Sequence, residues 1–111
     1  MIRFATFLVL AFAMSATATA ANPDAGKEKS RACAACHGPD GNSAAADFPK
    51  LAGQHYDYLV KSLRDYKSGV RKNAIMQPQV ANLSVRDMED IAAFYAKQPG
   101  LVTRKHAYIV K

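Results

Sequence analysis

Cys33-Ala34-Ala35-Cys36-His37 is the stretch whose reading decides the fold. A C-x-x-C-H run is the signature of covalent c-type haem attachment. The chemistry demands this spacing. Two thiols on one helical turn can each add across one of the two vinyl groups of a haem. The adjacent imidazole then lies under the iron as an axial ligand. The same two thiols could form half a zinc site or a thioredoxin-like redox pair. A zinc ribbon needs a second pair of ligands, and the chain has only 2 cysteines. A thioredoxin-like motif needs a surrounding βαβ pattern, which is not found. In an oxidising compartment the pair could also close as a disulfide, and His37 tips the balance to haem.

Upstream of this motif the chain begins as an export leader. Arg3 gives a positive start, Phe4 to Met14 is apolar, and Ser15 to Ala21 supplies small residues with an A-x-A site at Ala18-Thr19-Ala20. That pattern marks a secretory signal peptide over residues 1–20, cleaved after Ala20 or Ala21. Its apolar run is shorter than the roughly 20 residues of a bilayer-spanning helix. Covalent haem attachment in bacteria takes place outside the cytoplasm, so a periplasmic location is expected. The remainder divides into one domain, residues 21–100, and a tail, residues 101–111. A domain this small usually needs a staple, and a haem can serve as one. The formal net charge of +6 falls to about +5 when Arg3 leaves. Such a charge can steer the protein to an acidic partner or weakly to an anionic membrane surface. Nucleic acid is not an expected partner, because the charges are dispersed.

Within the domain the pattern is all-α. A first helix is expected from Asp24, as N-cap, to about Cys36, which puts the thiols in its last turn. Gly38-Pro39-Asp40-Gly41-Asn42 breaks regular structure. A second helix is expected over Gln54 to Ser68, with Tyr56, Leu59, Val60, Leu63 and Tyr66 on one apolar face and Gly69 as its stop. Val70 to Leu83 reads as a loop in which Pro78 prevents a helix. Ser84 caps a third helix with Asp87 as capping-box partner. Its buried stripe is Met88, Ile91, Ala92, Phe94 and Tyr95, and Pro99-Gly100 ends it.

An iron held by one histidine has a sixth position to fill. Histidine plus methionine makes an electron carrier of raised potential, whereas an open position suits ligand binding or catalysis. Two methionines remain after the leader, Met76 and Met88. Met88 falls in phase with the third helix's apolar stripe and is assigned to packing. Met76, in a loop before Gln77-Pro78, is the candidate ligand. His55 and His106 are the alternative imidazole donors, each otherwise an ordinary surface residue.

Cys-Ala-Ala-Cys-His-Gly (33–38), Phe-Pro-Lys-Leu-Ala-Gly-Gln (48–54) and Met-Gln-Pro-Gln-Val-Ala-Asn-Leu-Ser (76–84), in that order before a final helix, resemble the class I c-type cytochromes. The resemblance spans Asp24 to about Pro99. It is nearest to small monohaem bacterial cytochromes whose domain also occurs in tandem in dihaem proteins. It implies three main helices and long loops around one covalent haem c, the first and last helices crossing beside it. Residue by residue it implies thioethers on Cys33 and Cys36, and His37 and Met76 as axial iron ligands. It also implies a Pro49 carbonyl that accepts the histidine's Nδ1–H. Gly41 and Gly53 resemble backbone positions close to the haem, and Tyr66, Arg71 and Asn73 resemble residues near the propionates. The tail after Gly100 departs from the pattern. The implied activity is one-electron transfer between respiratory-chain partners by a monomeric, non-enzymatic carrier. The alternatives are an electron-accepting subunit of a periplasmic dehydrogenase, and a haem sensor or enzyme with a labile sixth ligand.

Overall fold

Asn22 opens the first helix. Its Oδ1 accepts hydrogen bonds from Asp24 N and Ala25 N at 2.9 and 3.2 Å. It therefore takes the capping place expected of Asp24. Pro23 follows at the first helical position, where its missing N–H costs nothing. The computed structural model describes residues 19–101, so most of the leader and the tail beyond Leu101, His106 included, lie outside the described residues. Five helices follow in order: α1 (Pro23–Lys29), α2 (Arg31–His37), α3 (Tyr56–Ser68), α4 (Met76–Val80) and α5 (Val85–Ala96). No strand occurs among the described residues, so the fold is all-helical.

The expected first helix is thus one arm with a break. Ser30 Oγ donates to the Lys27 carbonyl at 2.9 Å and competes with the backbone for that acceptor. The arm still continues across the break, because Ser30 N reaches Gly26 O (2.9 Å) and Ala34 N reaches Ser30 O (3.0 Å). The expectation that Pro78 prevents a helix is corrected. Pro78 is the third residue of α4, within the first turn, where no intrahelical N–H is required. The second helix starts two residues later than expected, at Tyr56, and ends on left-handed Gly69 as expected (φ 81°). The capping box at Ser84 and Asp87 forms as expected: Ser84 Oγ accepts from Asp87 N at 3.1 Å, and Ser84 N donates to Asp87 Oδ2 at 2.9 Å.

Leu59 and Val60 of α3 pack against Ile91, Ala92, Phe94 and Tyr95 of α5. Met88 is buried as well, at 1% exposure, as assigned. Each large aliphatic or aromatic side chain taken out of water here contributes about 1.5–3 kcal/mol. The tightest contact is α1 on α5. Gly26 is buried, and a Cβ there would sit 1.9 Å from the Asp90 carbonyl oxygen. Only a residue without a side chain lets the two backbones approach so closely.

Asp90, 2% exposed, ties the same crossing together with charge. Its carboxylate accepts from Asn22 N at 2.7 Å and Lys29 Nζ at 2.7 Å, and pairs with Arg86 Nε at 3.2 Å. Lys29 also reaches Asp87 at 2.8 Å. Burial alone would raise the Asp90 carboxyl, but the Asn22 N–H and the Lys29 ammonium outweigh it and hold it below its usual range.

Candidate functional site

Three residues of the candidate site lie on the last turns of α2. Cys33 and Cys36 sit three apart, so both thiols project to one side of the helix. Both are free and half-buried. Cys33 packs against the α3–α5 cluster, and burial pushes its thiol up. His37 ends α2 and is buried at 6% exposure. Gly38 follows with φ 82° and turns the chain away.

The loop after α2 returns to hold the imidazole. Gly41 O accepts from Leu51 N (2.8 Å) and Ala52 N (3.2 Å), which folds residues 42–50 back on themselves. That fold brings the Pro49 carbonyl to 2.8 Å from His37 Nδ1. A carbonyl can only accept, so the proton lies on Nδ1 and Nε2 keeps its lone pair for a metal. The Phe48 ring stands edge-on to the imidazole, with centroids 6.3 Å apart. Gly41 and Gly53 are each crowded by protein on the side where a Cβ would stand. A Cβ on Gly41 would lie 2.7 Å from Tyr95 Cδ1, and one on Gly53 would lie 2.9 Å from Leu101 O.

Met76 is the first residue of α4 and is half-buried. Its turn is set by Asn73, whose Oδ1 accepts from Ile75 N and Met76 N, both at 2.9 Å. Asn73, which the resemblance places near the propionates, fixes with its side chain the backbone at Ile75 and Met76. An Asn three residues before a helix start is the signal that could have shown this. Arg71 lies over the Tyr66 ring, 4.6 Å from the centroid. His55 is exposed at the start of α3 and makes no capping bond. Helix α4 packs on α3, and Cys33 packs on the α3–α5 cluster, so both donor sets rest on one core.

These residues fit a covalently held haem. Two free thiols lie on one helical face, with an imidazole of fixed tautomer beside them. A thioether begins another helix on the same core. Among the described residues no group of three or more His, Cys, Asp or Glu side chains could cage a metal ion. The thiols therefore have no partners there for a tetrahedral site.

Comparison with known proteins agrees. The sequence profile of the family described as Cytochrome c matches residues 23–98. Cytochrome c4 of Pseudomonas aeruginosa is 47% identical over 92 residues, covering 82% of this chain and 46% of that protein. A thiosulfate dehydrogenase electron acceptor of Stutzerimonas stutzeri is 49% identical over 69 residues, covering 61% of this chain and 32% of that protein. The crystal structure of reduced recombinant cytochrome c4 from Pseudomonas stutzeri superposes with a TM-score of 0.70 at 46% identity. It covers 75% of this chain and 48% of that one. The chain spans about half the length, or less, of these relatives.

Proposed function

This chain belongs to the cytochrome c family, an electron-transfer cytochrome with haem c as its cofactor, and we propose that it is a soluble periplasmic one-electron carrier between respiratory-chain partners. The observation that carries the reading is the bond from His37 Nδ1 to the Pro49 carbonyl, one residue from the second thiol of the pair. In this reading Cys33 and Cys36 would hold the haem as thioethers, and His37 and Met76 would hold its iron. The bound haem supplies an Fe(III)/Fe(II) couple. The chain's own residues do the rest. Pro49 keeps the imidazole from rotating or changing tautomer. Asn73 holds the turn that presents the thioether. With the His37 and Met76 side chains both held by the fold, little would need to reorganise around the group, and a soft thioether would raise its potential.

Export follows from the leader, residues 1–20, with cleavage after Ala20 or Ala21 leaving a domain at 21–100 and a tail at 101–111. No described helix is long and apolar enough to cross a membrane. The domain is proposed to act as a monomer. The test is the absorption spectrum of periplasmic protein, oxidised and reduced, with its mass after denaturation. One haem retained through denaturation and a far-red sulfur-to-iron band in the ferric protein are expected. Free thiols, or a disulfide between Cys33 and Cys36, in protein matured by a competent host would sink the reading.

One observation favours a second reading, an electron-accepting subunit of a dehydrogenase. The relative named as a thiosulfate dehydrogenase electron acceptor shares 49% identity over its matched segment. Co-purification with a catalytic subunit would favour this over a free carrier.

A further inference from the structure

The buried carboxylate of Asp90 is served by the chain just behind the leader. Its side chain is 3% exposed. Asp90 Oδ1 accepts from Asn22 N at 2.7 Å and meets Arg86 Nε at 3.2 Å. Asp90 Oδ2 accepts from Lys29 Nζ at 2.7 Å, and the same ammonium reaches Asp87 at 2.8 Å. The other two nitrogens of the Arg86 guanidinium donate to the carbonyls of Thr19 and Ala20. A guanidinium and a carboxylate one turn apart on α5 thus grip the backbone on both sides of the expected cut, which falls after Ala20 or Ala21.

Cutting changes the chemistry of this grip. Hydrolysis by a leader peptidase consumes one water. The new carboxylate leaves with the leader, and the new amine stays with the domain and takes up a proton. Arg86 loses both of its carbonyls. A neutral amide N–H gives way to an ammonium, on Asn22 N itself or one residue before it on Ala21. Hydrogen bonds to a charged donor are roughly twice as strong as neutral ones. The charged groups around this terminus are Lys29 of α1, Arg86, Asp87 and Asp90 of α5, and Asp24, exposed in the first turn of α1. Two cations stand against three carboxylates, so the surroundings accept one more positive charge.

We propose that the buried Asp90 carboxylate is a binding site for the chain's own mature α-ammonium, so that leader removal fastens the α1–α5 crossing more tightly than the uncut amide does. This rests on the reading of residues 1–20 as a cleaved leader. The arm that carries Cys33, Cys36 and His37 starts at this site, so it is held most firmly once the leader is gone.

The experiment uses the exported, haem-loaded protein. Trace acetylation at pH 7 is read by mass spectrometry of the N-terminal peptide, which also identifies the first residue. An α-amine ordinarily titrates at about 8, and only its neutral form reacts. Pairing with Asp90 keeps it protonated. The comparison is a chain with Gly-Ser-Gly-Ser inserted between Ala20 and Ala21, which carries the terminus away but keeps the cleavage signal and the Asn22 N–H. We expect the wild-type amine to be labelled about tenfold more slowly than the extended one, the factor that one pKa unit gives. The extended chain should also melt a few degrees lower at pH 7. A group with a raised folded value contributes stability below its unfolded value and loses it as pH rises through the folded one. The difference in melting should therefore fade above about pH 8. Asp90→Asn, where it folds, should restore ordinary labelling. Arg86→Gln removes the cation that competes for Oδ1 and should slow labelling further. Faster labelling in Arg86→Gln would mean that burial, not charge, shields the amine, and would overturn the proposal. So would equal rates in the wild-type and extended chains when the first residue is Ala21 or Asn22. A protein that still carries residues 1–20 would instead refute the leader reading, and its mass tells the two failures apart.

Discussion

The thiol-bearing arm and the methionine-bearing segment are held in opposite ways. The α1–α2 arm is fixed by contacts distant in sequence. Gly26 lies backbone to backbone on Asp90, Asp90 binds three donors, and Pro49 clasps His37. The segment from Val70 to Met76 is fixed mainly by its own turn, and Val80, buried at 1% exposure, anchors the far end of α4 in the interior. Asn73 caps it, Val70 and Ile75 are exposed, and α4 is five residues long. Local openings are cheapest where few apolar contacts must be broken. We therefore expect the arm to move only when the fold opens, and the start of the methionine segment to open more readily.

The first way to break this comparison is at the crossing. Gly26→Ala puts a methyl 1.9 Å from the Asp90 carbonyl, against rigid backbone on both sides. We expect it to cost about 3 kcal/mol or more, seen as a sharply lower melting temperature of the haem-loaded protein. A loss below about 1 kcal/mol would show that the crossing has slack.

The second separates the ligand from the fold. Met76→Ala should abolish the far-red sulfur-to-iron band and lower the potential markedly, because no thioether then stabilises Fe(II). Its melting temperature should change far less than that of Gly26→Ala. Met88→Leu should do the reverse on a small scale, leaving the spectrum alone and costing about 1 kcal/mol in packing. A Met76→Ala protein that keeps a strong-field sixth ligand would return attention to His55 or His106.

A third test uses acid. Lys29 and Ser84 hold the Asp87 carboxyl well below its usual range, and the Asp90 carboxyl is held down as described above. Groups with depressed folded values contribute stability above their unfolded values near pH 4, and lose it as pH falls through the folded values. We expect denaturant stability to fall below about pH 4, and Asp87→Asn, at the more strongly shifted of the two groups, to remove more of that slope than Asp90→Asn. The Met76 band should persist until the arm itself gives way. At the other extreme burial pushes Tyr95 up to about 12, so the stability held by its neutral hydroxyl is lost as pH rises from about 10 to that value.

The arm was the more legible half in one respect and the less legible in another. Its chemistry stood in the pentapeptide, since covalent attachment leaves no freedom in residue type or spacing. Its fastening did not. Asp90 falls beside the Met88–Tyr95 stripe and looks like a solvated carboxylate until α1 crosses over it, a contact 68 residues away in sequence. Gly26 and Gly41 are silent for the same reason, because the backbone and the Tyr95 ring that exclude a Cβ come from α5. In the methionine segment Met76 was proposed by elimination, and the part that the structure bears out is Met88's place in a buried helical stripe. The short α4 was hidden because Pro78 reads as a breaker unless the helix start is known to lie two residues before it. Local capping was read best where the pattern is self-contained, as at Ser84 and Asp87.

The smallest and sharpest test bears on that segment. Asn73 Oδ1 serves the two N–H groups at Ile75 and Met76 and touches nothing in the α1–α5 crossing. Asn73→Ala removes the cap and should cost about 1 kcal/mol, as loss of a side-chain cap usually does. If the segment opens independently, that cost appears in full in the opening equilibrium, besides lowering the melting temperature by the few degrees that about 1 kcal/mol gives in a domain this small. An added ligand such as imidazole competes with Met76 only in the open form. Its apparent affinity for the ferric protein should then rise about fivefold, which is the factor that about 1 kcal/mol gives at room temperature. A lower melting temperature with unchanged imidazole affinity would mean the opposite, that the methionine segment and the arm open as one unit. The difference between the two regions would then be one of sequence distance and not of stability.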